Sequence, residues 1–142
     1  MDSRRKQLGD RPTEGRPKRT LTPTEDFEQK QLIQWCRTDP RFQFLFHIPN
    51  ESIGGYQWIA RNRQMGCKKG VPDLFYPVPM GGYHGLFIEM KKKVGGVVDH
   101  EQKKWLKALG DLGYRVEVCK GWEKARDVLL NYVGGERDVR KG

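Results

Sequence analysis

The stretch Gly85-Leu86-Phe87-Ile88-Glu89-Met90-Lys91 decides the fold, together with Asp99-His100-Glu101-Gln102 and Tyr114-Arg115-Val116-Glu117-Val118-Cys119 further on. Leu86-Phe87-Ile88 is a nearly continuous apolar run, the pattern of a central strand. Asp99 offers a helix N-cap with Gln102 three residues on, a capping-box pattern. Trp105, Leu106, Leu109 and Leu112 then make an i, i+1, i+4, i+7 stripe, which Gln102 precedes on the same face. Gly113 ends that helix, and 114–119 alternates as a strand. Strand, crossover helix and strand imply a parallel pair.

Working outward, Val71–Tyr76 reads as a short strand ended by Pro77, and Pro79-Met80-Gly81-Gly82 as a turn. The strands before and after that turn form a hairpin, so the sheet is mixed. Upstream, Phe42–Ile48 is rich in strand formers and stops at Pro49. Thr22-Pro23-Thr24-Glu25 predicts a helix start, with Thr22 as N-cap, Pro23 at the first position and Glu25 closing a capping box. That helix runs to about Arg37, with Leu32, Trp35 and Cys36 on one face and Glu28 falling between Trp35 and Leu32. A loop at Asn50–Gly55 leads to a short basic helix, Tyr56–Met65, which Gly66 closes. Lys92–Val98 is a basic, Gly-containing loop, and Trp122–Val133 a closing amphipathic helix. The expectation is an α/β fold: a mixed central sheet of about four strands flanked by helices, in the order α-β-β-β-α-β plus a C-terminal helix, with the short helix after the first strand.

Composition bounds the class. The 142 residues fit one domain, expected over 21–133. Lys and Arg number 27 against 18 Asp and Glu, a formal charge of +9, which points to a polyanionic partner. Residues 1–20 carry +4 and almost no large apolar side chain, so they read as a flexible basic arm, either a solvated tail or a phosphate-contacting one. The remaining residues still carry +5, and 134–142 read as a second frayed end. No apolar run approaches the roughly 18 residues of a membrane helix, and the N-terminus lacks the apolar core of a secretory signal. Three scattered cysteines make neither a disulfide framework nor a zinc knuckle, which suits a reducing cytoplasm.

The residues that carry chemistry are Asp73 and, sixteen residues on, Glu89-Met90-Lys91. Glu89 and Lys91 stand at i and i+2 of a strand and project to one face, and Asp73 meets Glu89 across the hairpin. Two carboxylates held that close disfavour joint ionisation unless a cation sits between them. Hard ions such as Mg²⁺ take oxygen ligands of this kind and keep waters for phosphate chemistry. The plain alternative is an ordinary Glu–Lys alternation on a surface strand. Against it stand the apolar run around Glu89, the carboxylate of Glu28 on an apolar helix face, and Gln102 at the head of a buried stripe.

These residues lie in segments that together resemble the PD-(D/E)xK nucleases and, within them, the VRR-NUC branch, over most of 22–133. The likeness is carried by Glu28-Gln29, His47-Ile48-Pro49-Asn50, Gly70-Val71-Pro72-Asp73-Leu74, Gly81-Gly82-Tyr83-His84-Gly85 running into Leu86–Lys91, Glu101-Gln102-Lys103 and Gly113-Tyr114-Arg115-Val116. The resemblance implies a restriction-endonuclease-like core and Mg²⁺- or Mn²⁺-dependent hydrolysis of DNA phosphodiesters. It implies Asp73, Glu89 and the Met90 backbone carbonyl as metal ligands, with Lys91 serving the nucleophilic water. Glu28 becomes the first-helix acid, a further ligand directly or through water, and Gln102 orients groups beside the site. Glu25 competes with Glu28, which is preferred because the capping box occupies Glu25. Stand-alone members of this branch look like small phage or bacterial enzymes that cut branched DNA as homodimers. The expected setting is therefore the cytoplasm of a bacterial or phage-infected cell, with DNA as partner and no small-molecule cofactor.

Arg61, Arg63, Lys68 and Lys69 flank the Asp73 strand, and Lys92 and Lys93 follow Lys91. They read as a phosphate-binding rim, against the plainer reading of a solvated basic surface. His47, His84 and His100 lack the spacing of a zinc site. Tyr56 and Trp58 are expected to pack into the core rather than stack on a base.

Overall fold

The computed structural model describes residues 22–50 and 54–134. The basic arm at 1–20 and most of the C-terminal tail, like residues 51–53 of the first loop, lie outside the described residues. The central strand is β3 (Leu86–Lys91), all six of whose residues are buried. β2 (Leu74–Tyr76) pairs with it antiparallel and β4 (Arg115–Lys120) parallel, and β1 (Phe46–His47) extends the sheet beyond β2, giving the order β1-β2-β3-β4. This is the mixed four-stranded sheet that the hairpin and the crossover helix require.

Alternation along β3 sorts its side chains between two faces. Leu86, Ile88 and Met90 join Leu74, Tyr76 and Cys119 in the core, which α1 (Glu25–Cys36) covers with Leu32 and Cys36 and α4 (Trp122–Tyr132) with Ala125, Leu129 and Tyr132. Phe87, Glu89 and Lys91 point the other way. Phe87 stacks on Phe75 at 4.2 Å and meets Tyr114 edge-on. Glu89 and Lys91 lie next along the same face, where α3 (His100–Asp111) packs beside β4. Asp99 caps α3, and both halves of the capping box with Gln102 are formed. α2 (Tyr56–Gln64) buries none of its residues.

Four local expectations need correction. The first helix begins at Glu25, and its N-cap is Thr24, whose Oγ1 accepts the Phe27 N–H at 3.2 Å. Both threonines offer a capping hydroxyl, and the second wins, so Glu25 has no capping box to occupy it. The strand expected over 42–48 is only Phe46–His47. Asp39 accepts the Arg41 N–H, Pro40 opens a 3₁₀ turn, and Phe42 drops into the core against Trp35 and Tyr76. Leu112 lies at the α3 C-cap and is 64% exposed, off the buried stripe. Tyr56 and Trp58 are 88% and 52% exposed, so they do not pack the core.

Candidate active site

The pairing of Leu74 with Ile88 sets Asp73 opposite Glu89 one step further along the hairpin. Asp73 Oδ2 accepts the Met90 N–H at 2.7 Å, which fixes its carboxylate against the start of the ladder. Lys91 Nζ lies 3.5 Å from Glu89 Oε1 and 3.9 Å from Glu25 Oε1. From the far side, Gln102 Nε2 donates to Glu89 Oε1 at 2.8 Å. Two strands and the N-terminal ends of two helices thus deliver five polar side chains to one place.

The electrostatics follow from burial. Glu89 is 2% and Lys91 5% exposed. Desolvation, and then the charge of Asp73, push the Glu89 carboxyl up to about 8, with Lys91 pulling the other way. Burial also raises Asp73, opposed by the Met90 N–H bond and by the charges of His47 and Lys91. A cation between the two carboxylates would offset both shifts. The donors are hard oxygens, the type that Mg²⁺ or Mn²⁺ accepts. Among the described residues no three His, Cys, Asp or Glu side chains gather as a metal cluster. An ion held by Asp73 and Glu89 would therefore complete its shell with backbone, water or phosphate oxygens. Such a sparse set fits Mg²⁺, which keeps several waters.

The profile of the VRR-NUC domain matches residues 19–123. The chain belongs to the VRR-NUC family. A solved structure, a VRR_NUC domain protein 30% identical in sequence, superposes with a TM-score of 0.69 over 80% of this chain and 90% of its own. Comparison with curated proteins finds no match. VRR-NUC domains fall within the restriction-endonuclease-like superfamily, so this protein is a nuclease, a hydrolase acting on DNA. No helix among the described residues is long and apolar enough to cross a membrane.

In this VRR-NUC chain Asp73, Glu89, Lys91 and Gln102 meet as the sequence expects. Glu28 stands elsewhere. It is fully buried between α1 and α4, where its Oε2 accepts the Trp122 N–H at 2.7 Å and its Oε1 lies 3.9 Å from Lys93 Nζ without a hydrogen bond. Glu25, whose charge raises both Asp73 and Glu89, is the first-helix acid that faces the site. Two further residues were missed. His47 Nδ1 lies 2.8 Å from the Asp73 carbonyl oxygen and 3.0 Å from Gln29 Nε2; the ring nitrogen bonds one or the other according to its tautomer, so His47 adjoins the strand that carries Asp73 and Gln29 adjoins His47. A signal existed: on a helical wheel Glu25 and Gln29 fall within about 60° of Leu32 and Cys36, placing them on the buried stripe at its polar end.

The basic rim is uneven. Arg61, Arg63, Lys68 and Lys69 are exposed, and Lys92 is half-buried. Arg63, Lys68 and Lys69 border a cavity of about 540 Å³ with Lys104 and Trp105 of α3. Lys93, also exposed, is paired with Glu123 at 3.0 Å. Burial pushes the Cys36 and Cys119 thiols up to about 12, which removes both as nucleophiles.

Proposed function

We propose that the protein is a metal-dependent endonuclease that hydrolyses phosphodiester bonds in branched DNA, in the manner of a four-way-junction resolvase, and that it works as a homodimer. The observation that carries the reading is the opposition of Asp73 and Glu89 across β2 and β3 with Lys91 on the same face as Glu89. Asp73 and Glu89, with the Met90 carbonyl, would hold Mg²⁺ or Mn²⁺, which polarises the phosphate and lowers the pKa of a bound water.

The chain's own groups do the rest. The Lys91 ammonium, held between Glu89 and Glu25, orients the attacking water and faces charge developing on the phosphate. The water oxygen bonds to phosphorus as one P–O ester bond breaks, the water giving up a proton to solvent and the leaving oxygen taking one from it. Gln102 keeps Glu89 in place through the 2.8 Å bond, and the Met90 N–H keeps Asp73. Arg61, Arg63, Lys68, Lys69 and Lys92 supply sequence-independent phosphate contacts. Paired nicks across a branch need two such sites, which a symmetric dimer provides.

The test is cleavage of labelled linear duplex, single strand, splayed arm and four-way junction with Mg²⁺, Mn²⁺ or EDTA. Paired metal-dependent cuts near the junction, lost in Lys91→Ala, are expected. Equal cutting of every substrate would reduce the reading to a general nuclease. Binding without cutting under either metal would reject cleavage altogether.

A further inference from the structure

α2 is a regular helix that gives nothing to the core, and its exposed side chains need another account. From 54 to 72 the sequence holds Arg61, Arg63, Lys68 and Lys69 and no acidic residue, so this stretch is cationic, with Glu101 of α3 bordering its Lys68–Lys69 end. Set among these charges are two exposed aromatic rings, Tyr56 and Trp58. The Trp58 indole is held in place on two counts. It packs so closely on Gly54 that a Cβ there would overlap the indole Cδ1, and the Arg61 guanidinium lies 5.8 Å from its ring centroid. Gly55, Tyr56, Gln57, Trp58 and Arg61 border an open cleft of about 580 Å³, large enough to admit a flat group.

A duplex shows a protein its phosphates and groove edges but keeps its base faces stacked. An unpaired strand offers both phosphates and free π faces, and a cationic surface carrying exposed aromatic rings matches that pair. The surface also connects to the site. The strap from α2 to β2 is pinned to α3 by Trp105 Nε1, which donates to the Lys69 carbonyl at 3.1 Å, one turn beyond Gln102.

We infer that Trp58, with Arg61 over its ring and Tyr56 beside it, is a stacking platform for unpaired bases of single-stranded DNA next to the cleaved branch. The inference deepens the proposed action on branched DNA and assigns α2 the recognition of its unpaired strand.

The test is fluorescence anisotropy of the 142-residue chain in EDTA with short fluorescein-labelled oligo-dT and with a blunt hairpin duplex, at one salt concentration. Trp58→Ala should weaken oligo-dT binding about tenfold and leave duplex binding nearly unchanged, and Trp58→Phe should restore most of the loss. Arg61→Ala should weaken both, because it also removes a phosphate contact. Because α2 buries nothing, an unchanged circular dichroism melt is expected for each variant. Equal losses on both DNAs, or no loss on oligo-dT, would overturn the platform. So would conversion of a dimer to a monomer by Trp58→Ala in light scattering, which would make this face an interface between copies. Metal-dependent cutting of plasmid DNA is read separately: its absence would reject the nuclease reading while the binding result still judges the platform.

Discussion

Gln102 ties the start of α3 to Glu89: its Oε1 accepts the Asp99 N–H at 3.0 Å while its Nε2 donates to Glu89 Oε1 at 2.8 Å. The capping bond fixes which end of the amide faces the carboxylate, because a backbone N–H needs an oxygen. A residue that closes a helix cap therefore also aims a carboxylate. Gln102→Glu keeps the cap, since glutamate serves as well at that position, but sets a third carboxylate against Glu89 with no donor between them. Thermal melting should stay close to wild type, while cleavage of plasmid DNA in Mg²⁺ falls about tenfold or more. Wild-type cleavage in this variant would show that the cap is the residue's only role.

Glu25 and Glu28 should separate by readout. Glu25→Gln removes a charge beside Lys91 at an exposed position, so cleavage is expected to fall about 10- to 100-fold with stability unchanged. Glu28→Ala empties a fully buried position and leaves the Trp122 N–H at the start of α4 without its acceptor. It should cost about 1–3 kcal/mol in denaturant unfolding, with residual cleavage tracking the folded fraction. Reversed results would return the first-helix role to Glu28.

The sheet was legible in the sequence because β3, the capping box and β4 each carry a local signal that agrees with the global fold. Asp73, Glu89, Lys91 and Gln102 were legible for the same reason: strand alternation and hairpin register place them without knowledge of distant packing. Glu25 rather than Glu28 lies beside Lys91, and the preference for Glu28 rests on which threonine caps, where Thr22 and Thr24 compete on equal local terms. Phe42 misled for a related reason. Aromatic residues favour strands, but Asp39 and Pro40 satisfy the backbone in a tight turn, and core burial of one ring overrides propensity. His47 and Gln29 meet only in three dimensions, from α1 and β1, and no spacing announces that contact.

Gly70 lies in the strap that delivers Asp73. Its φ is 89°, and a Cβ there would come within 2.7 Å of the Glu101 carbonyl carbon, so α3 and the strap pack backbone to backbone. Gly70→Ala combines left-handed strain with a clash that no side-chain rotation relieves. A loss of more than about 1 kcal/mol is expected in denaturant unfolding, with cleavage at saturating DNA reduced further than the folded fraction explains. Wild-type stability in this variant would mean that the strap can move off α3.

The two carboxylates also predict how the metal-free protein responds to pH. Glu89 is raised to about 8 by burial and by Asp73, and Asp73 is itself raised by burial. Between the ordinary carboxylate range and those raised values, the folded state binds more protons than the unfolded one, so stability must fall as pH rises. In EDTA the midpoint of chemical unfolding should therefore decline from about pH 5 toward pH 8 and level off above it, once Glu89 is ionised in both states. Glu89→Gln removes the larger of the two contributions and should flatten the decline, leaving the part due to Asp73. Adding Mg²⁺ at pH 8 should raise the wild-type midpoint and leave Glu89→Gln nearly unmoved, because a dication between the carboxylates offsets the repulsion that the variant has already lost. A midpoint that rises with pH in EDTA would mean that Lys91 and Gln102 over-compensate burial, and that Glu89 stays charged without a metal.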